Sequence, residues 1–106
     1  MKTAIISATT GTTEIIAGVV GKKLRVLAYT VNSSVASELT WKSATTAISG
    51  VMHMGANGNI AIHLGDNWPS GGLPVLETAA GQSLNLTVAG TTPVIGGHLT
   101  YYEVLA

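Results

Sequence analysis

The sequence predicts an all-β protein, a single-domain antiparallel β-sandwich of about eight strands spanning residues 1–106. Three observations carry this prediction. Apolar residues recur with period two in short segments, as in Leu39/Trp41 against Glu38/Thr40/Lys42 and Leu84/Leu86/Val88 against Asn85/Thr87, which is the pattern of a strand with one buried face. Turn-forming residues break these segments at intervals of roughly 8 to 12 residues, a spacing typical of sandwiches and barrels. The composition agrees: 13 glycines, abundant Thr and Ser, and an apolar set dominated by Val, Ile, Leu and Ala.

Strands are expected over residues 3–8, 12–18, 22–32, 38–43, 47–53, 59–64, 83–89 and 97–105. The first two are separated by Thr10-Gly11, the second and third by Val20-Gly21, and the third and fourth by Asn32-Ser33-Ser34. Ser49-Gly50 sits near the middle of the fifth, and Asn57-Gly58 follows it. Both residues of Asn57-Gly58 tolerate positive φ, so the pair predicts a type I′ hairpin turn, which would set His53 nearly opposite His63. Residues 66–81 carry Pro69, Gly71, Gly72 and Pro74 and are expected to form the longest loop, with a short strand around residues 75–77. The octets 11–18 and 90–97 both begin Gly-Thr-Thr, a likeness too short to mark a duplication.

Charged residues make up only 9% of the chain, against roughly 25% in an average soluble domain. A surface so poor in solvating groups implies that something covers part of it. The formal net charge is zero, which argues against nucleic acid as a partner, because phosphate binding calls for a strongly basic surface. No cysteine is present, so no disulfide, thiolate metal site or thiol nucleophile is expected, and packing or oligomerisation must supply the stability of so short a chain. No apolar run reaches the length of a membrane span, and the first residues do not read as a signal peptide; a soluble, cytosolically made product is expected. All five basic residues precede position 43, leaving +3 before that point and −3 after it. Lys22, Lys23 and Arg25 are therefore candidates for a basic patch that meets an acidic patch on a neighbouring copy.

Catalytic signatures are missing. His53, His63 and His98 show no metal-ligand spacing, there is no Gly-x-Ser-x-Gly elbow, and Gly55 to Asn59 lacks the lysine and helix of a phosphate loop. Neither an enzyme nor a cofactor nor a metal is expected. With no Phe in the chain, the few aromatic residues draw notice: Trp41 alternates with Leu39 and reads as core, while Trp68, in an Asp-Asn-Trp-Pro loop, reads either as a cap on one end of the sandwich or as an anchor for a partner or sugar. Tyr101 and Tyr102 are adjacent in a strand and must face opposite ways, one to the core and one outward.

Three segments, residues 21–29 (GKKLRVLAY), 77–86 (ETAAGQSLNL) and 96–104 (GGHLTYYEV), together resemble small virion-surface proteins of tailed bacteriophages, the capsid decoration or cement proteins. The resemblance implies a jelly-roll-like sandwich, commonly a homotrimer, made in the bacterial host cytoplasm and bound to the outer surface of the capsid, where contact with the major capsid protein stabilises the shell. Its motifs are structural, so they carry no functional residue over. On this expectation Lys22, Lys23, Arg25, Trp68 and Tyr102 are the candidate contacts with partner or sister copies. A second expectation comes from another class: a carbohydrate-binding, lectin-like receptor-recognition module using Trp68 and Tyr102 or Tyr101 as stacking platforms, since one sandwich fold hosts both kinds of function.

Overall fold

The computed structural model describes residues 1–63 and 75–106, and among these there are ten strands and no helix. The strands are β1 (Lys2–Ala8), β2 (Gly11–Ile16), β3 (Lys22–Ser33), β4 (Ser37–Ser43), β5 (Thr46–Ala47), β6 (Met52–Met54), β7 (Asn59–His63), β8 (Leu76–Glu77), β9 (Leu84–Ala89) and β10 (Ile95–Leu105). They form two antiparallel sheets. The first has the order β1-β10-β3, with β7 and β8 sharing the far side of β3; the second has the order β2-β9-β4, with β5 and β6 sharing the far side of β4.

The first four strands alternate between sheets, so their connections cross the sandwich and do not close hairpins. Each sheet is consequently built from distant segments: Lys2 pairs with Tyr101 and Thr12 with Thr87. The inward residues of both sheets meet in one core that includes Ile6, Leu24, Val31, Leu39, Trp41, Leu86 and Leu99. Trp41 packs its ring edge-on against Tyr29, with centroids 5.3 Å apart, and the Tyr29 hydroxyl donates to Met52 Sδ at 3.4 Å.

The long strand β3 keeps its apolar side inward through a bulge. Val26 pairs with Tyr101 and Ala28 with Thr100, so Leu27 is an extra residue. It shifts the alternation by one, and Leu24 and Val26 before it face the same core as Tyr29 and Val31 after it. On β10, Gly97 is required by close approach: it has φ of 147°, and a Cβ there would overlap the carbonyl oxygen of Thr30.

Two expectations need correction. The strand expected over residues 47–53 is split into β5 and β6, because the Ser49 hydroxyl accepts from Trp41 N at 2.9 Å in place of a strand carbonyl, just before Gly50. Together with β8, that split accounts for ten strands where about eight were expected. Asn57-Gly58 does not close a type I′ hairpin. Asn57 alone of the pair has positive φ (59°), Gly58 N donates back to Gly55 O at 3.0 Å, and the turn carries the chain from β6 in the second sheet to β7 in the first. His53 thus pairs in register with Glu38, and His63 with Ala28, on different sheets.

One end of the sandwich is closed by residues 78–82. Thr78 exchanges two hydrogen bonds with Leu24, Gly81 N donates to Lys22 O at 2.8 Å, and Ala79 N donates to the Ser43 hydroxyl of the opposite sheet. That hydroxyl in turn donates to Gln82 Oε1. The loop thereby ties β3 to β4 beside the basic segment.

Candidate functional site

Lys22, Lys23 and Arg25 lie on the first turn-proximal stretch of β3, and the alternation of that strand separates them. Lys23 and Arg25 are in phase with the outer face of the first sheet, while Lys22 is in phase with buried Leu24 at the rim of the core. Each group finds a carboxylate. On the outer face Glu77 of β8 sits in register with Arg25, accepts from Arg25 Nε, and lies 3.6 Å from Lys23 Nζ. At the rim Glu103 of β10 accepts from Lys2 Nζ at 2.8 Å and lies 3.7 Å from Lys22 Nζ. The hydrogen bond from Lys2 and its positive charge hold the Glu103 carboxyl below its ordinary pKa, and the same contact raises that of Lys2.

The acidic partners of the basic segment therefore come from the acidic part of the same chain. The patch expected to meet a neighbouring copy is largely satisfied within one copy, because the pairing of β3 with β8 and β10 brings the two segments together. Among the described residues four cations share two carboxylates at this end, a positive excess within that set. Tyr102 lies in register with Arg25 on the outer face, partly buried, and Tyr101 is turned into the core. Tyr101 is accordingly unsuited to stack on a sugar. Trp68 lies outside the described residues.

At the opposite end of the same outer face is a shallow groove of about 700 Å³, lined by Thr30, Asn32, Ser34, Asn57, Asn59 and Gly96 among others. It holds no charged side chain among these lining residues. Asn32 and Asn59 are register partners on β3 and β7, Asn57 comes from the turn before β7, and the Asn32 amide oxygen lies over Gly96, 3.3 Å from where a Cβ would stand. Three amides thus converge from two segments, Asn32 lying 25 or more positions from Asn57 and Asn59. The sequence shows Asn57 and Asn59 close together but holds no local signal for Asn32 joining them, since only the register of β3 with β7 does that.

His53 and His98 lie on different sheets and form no centre with each other. His53 Nδ1 lies 3.9 Å from Glu38 Oε1 on the exposed face of the second sheet, and His98 stands between Ile5 and Thr30 on the first. Among the described residues no three His, Cys, Asp or Glu side chains gather as a metal site would need. No helix among these residues is long and apolar enough to cross a membrane. No known protein family, curated protein or solved structure significantly matches the chain.

Proposed function

We propose that the protein is a non-enzymatic structural module: a jelly-roll decoration protein that works as a homo-oligomer, a homotrimer on the likeness of its sequence, bound to the outer surface of a bacteriophage capsid. The observation that carries this reading is the nesting of the strands. The first strand pairs with the last, the last with the third, and the third with the seventh; facing them, the second pairs with the ninth and the ninth with the fourth. A chain folded back on itself and wrapped around a barrel axis would produce such an order, and this supports the jelly-roll reading, a fold that capsid proteins and lectins share. The scarcity of charge supports it further, since faces with few solvating groups gain from being covered by neighbouring subunits. The residual positive charge around Lys23 and Arg25 is the pole offered to the major capsid protein.

The test is co-sedimentation with purified tailed-phage capsids stripped of their decoration protein, read together with the native mass. Stoichiometric binding that raises the temperature of capsid disruption supports the reading. Absence of binding to every capsid tried, from a protein shown to be folded, overturns it.

A lectin-like module is the second reading, and the neutral amide groove favours it. Uncharged amide and hydroxyl side chains in a cleft suit the hydroxyl groups of a saccharide. A glycan array with Asn32→Ala and Asn59→Ala as controls tests it: a signal lost in both variants would move the function to this groove.

A further inference from the structure

We infer that the open edge of β1 is a self-pairing seam, at which two copies join their β1 strands antiparallel about a two-fold axis through Ile5 and so continue the first sheet from one copy into the next.

The argument compares the four margins of the two sheets. An unpaired strand edge invites pairing, and proteins blunt it with short strands, bulges, charges or proline. The margin beyond β3 is divided between β7 and β8, and that beyond β4 between the two- and three-residue strands β5 and β6. β2 carries a register irregularity between Glu14 and Ile16, with Glu14 exposed. Apart from the charge of Lys2, β1 has none of these devices. Its seven residues hold an uninterrupted register with β10, contain neither Pro nor Gly, and carry charge only at Lys2, whose ammonium is drawn toward Glu103 on the β10 side. No described residue pairs with its other edge.

The strand is also complementary to itself. Opposed antiparallel residues face the same side of a sheet, so the outward set Thr3, Ile5, Ser7 must meet an outward set. Centred on Ile5, all seven positions pair over about 24 Å. Ile5, 80% exposed in the single chain, then meets its own copy. Thr3 meets Ser7, hydroxyl to hydroxyl, Ala4 meets Ile6, and the two lysines are kept at opposite ends beside Ala8. A foreign extended peptide would gain the backbone bonds but not this match of side chains.

The seam stands independently of the capsid reading. If other surfaces close a trimer, the seam links trimers across two-fold positions, and the native species contains an even number of chains in either case.

A chain without cysteine permits a clean test by single thiols. Opposed α-carbons in an antiparallel pair lie within disulfide range. Ile5→Cys should cross-link under mild oxidation to near completion, whereas Val20→Cys, at a position 96% exposed, should not. Register is read by Thr3→Cys and Ser7→Cys, which should link at least ten-fold faster when mixed than either does alone. Ile5→Lys, which sets two like charges face to face, should halve the native mass and leave the circular dichroism of the folded chain unchanged. An odd-numbered species whose mass Ile5→Lys does not alter, or thiols that link without regard to register, would overturn the seam; a trimer of that kind leaves the capsid reading standing.

Discussion

Thr78→Val should destabilise the fold even though it preserves shape and adds apolar surface. Thr78 is 2% exposed, and its hydroxyl accepts from Leu24 N at 2.9 Å, while Thr78 N donates to Leu24 O at 3.0 Å. The side chain thus stands in for a strand carbonyl just beyond β8. Valine leaves the Leu24 amide without an acceptor in a place closed to water, which costs about 1–3 kcal/mol. The methyl that replaces the hydroxyl returns at most about 0.8 kcal/mol. With the full methyl gain subtracted, a net loss of roughly 0.2–2 kcal/mol remains, a fall in Tm of up to about 12 °C for a domain of this size. Thermal unfolding at fixed protein concentration measures it, and hydrogen exchange locates it. The Leu24 amide should lose about ten-fold in protection in Thr78→Val and retain it in Thr78→Ser, which keeps the acceptor and gives up only a methyl. A Thr78→Val protein as stable as the parent, with Leu24 equally protected, would refute the reasoning.

Gly97→Ala should cost more than about 3 kcal/mol, because the residue combines positive φ with a carbonyl in the place of any Cβ; a large fall in Tm or in soluble yield checks this. Glu103 has its pKa depressed in the fold, so its contribution is present above the unfolded value near 4.5 and is lost as pH falls through the folded value. Glu103→Gln should therefore flatten the stability profile below about pH 5, and Lys2→Ala should produce the same flattening if the Lys2 contact is the cause. Burial raises the Tyr29 phenol above its ordinary value of 10.0, so its contribution is intact below that pH and is lost as pH rises through the folded value. Ultraviolet titration should show a late ionisation that Tyr29→Phe removes.

Several elements were legible in the sequence because they depend on neighbours one or two residues away. The alternation of Leu39 and Trp41, or of Leu84, Leu86 and Val88, survives in the buried faces of β4 and β9. The opposite facing of Tyr101 and Tyr102 follows from the pleat alone. Asn57 shows where local reasoning stops: it has the positive φ expected of it, but Gly58 does not share it, and nothing nearby says whether the chain re-enters the same sheet or crosses to the other. The pairing of His53 with His63 failed on that point. Lys22, Lys23 and Arg25 were visible as a basic run, but their carboxylates lie more than fifty positions away on β8 and β10. Charge imbalance along a chain becomes imbalance in space only if the pairing leaves it so.

The sequence by itself determined an all-β chain, the phase of most strands, the composition of the core and the poverty of charge. Tertiary structure alone decided which strands are neighbours, that no described residue pairs with the outer edge of β1, that two carboxylates hold four cations, and that Asn32 meets Asn57 and Asn59 in one groove. The physical reason is the range of the forces that write each signal. Burial imposes its period on adjacent residues, whereas strand pairing is satisfied by any backbone in register, so the identity of the partner is settled only when the whole core closes.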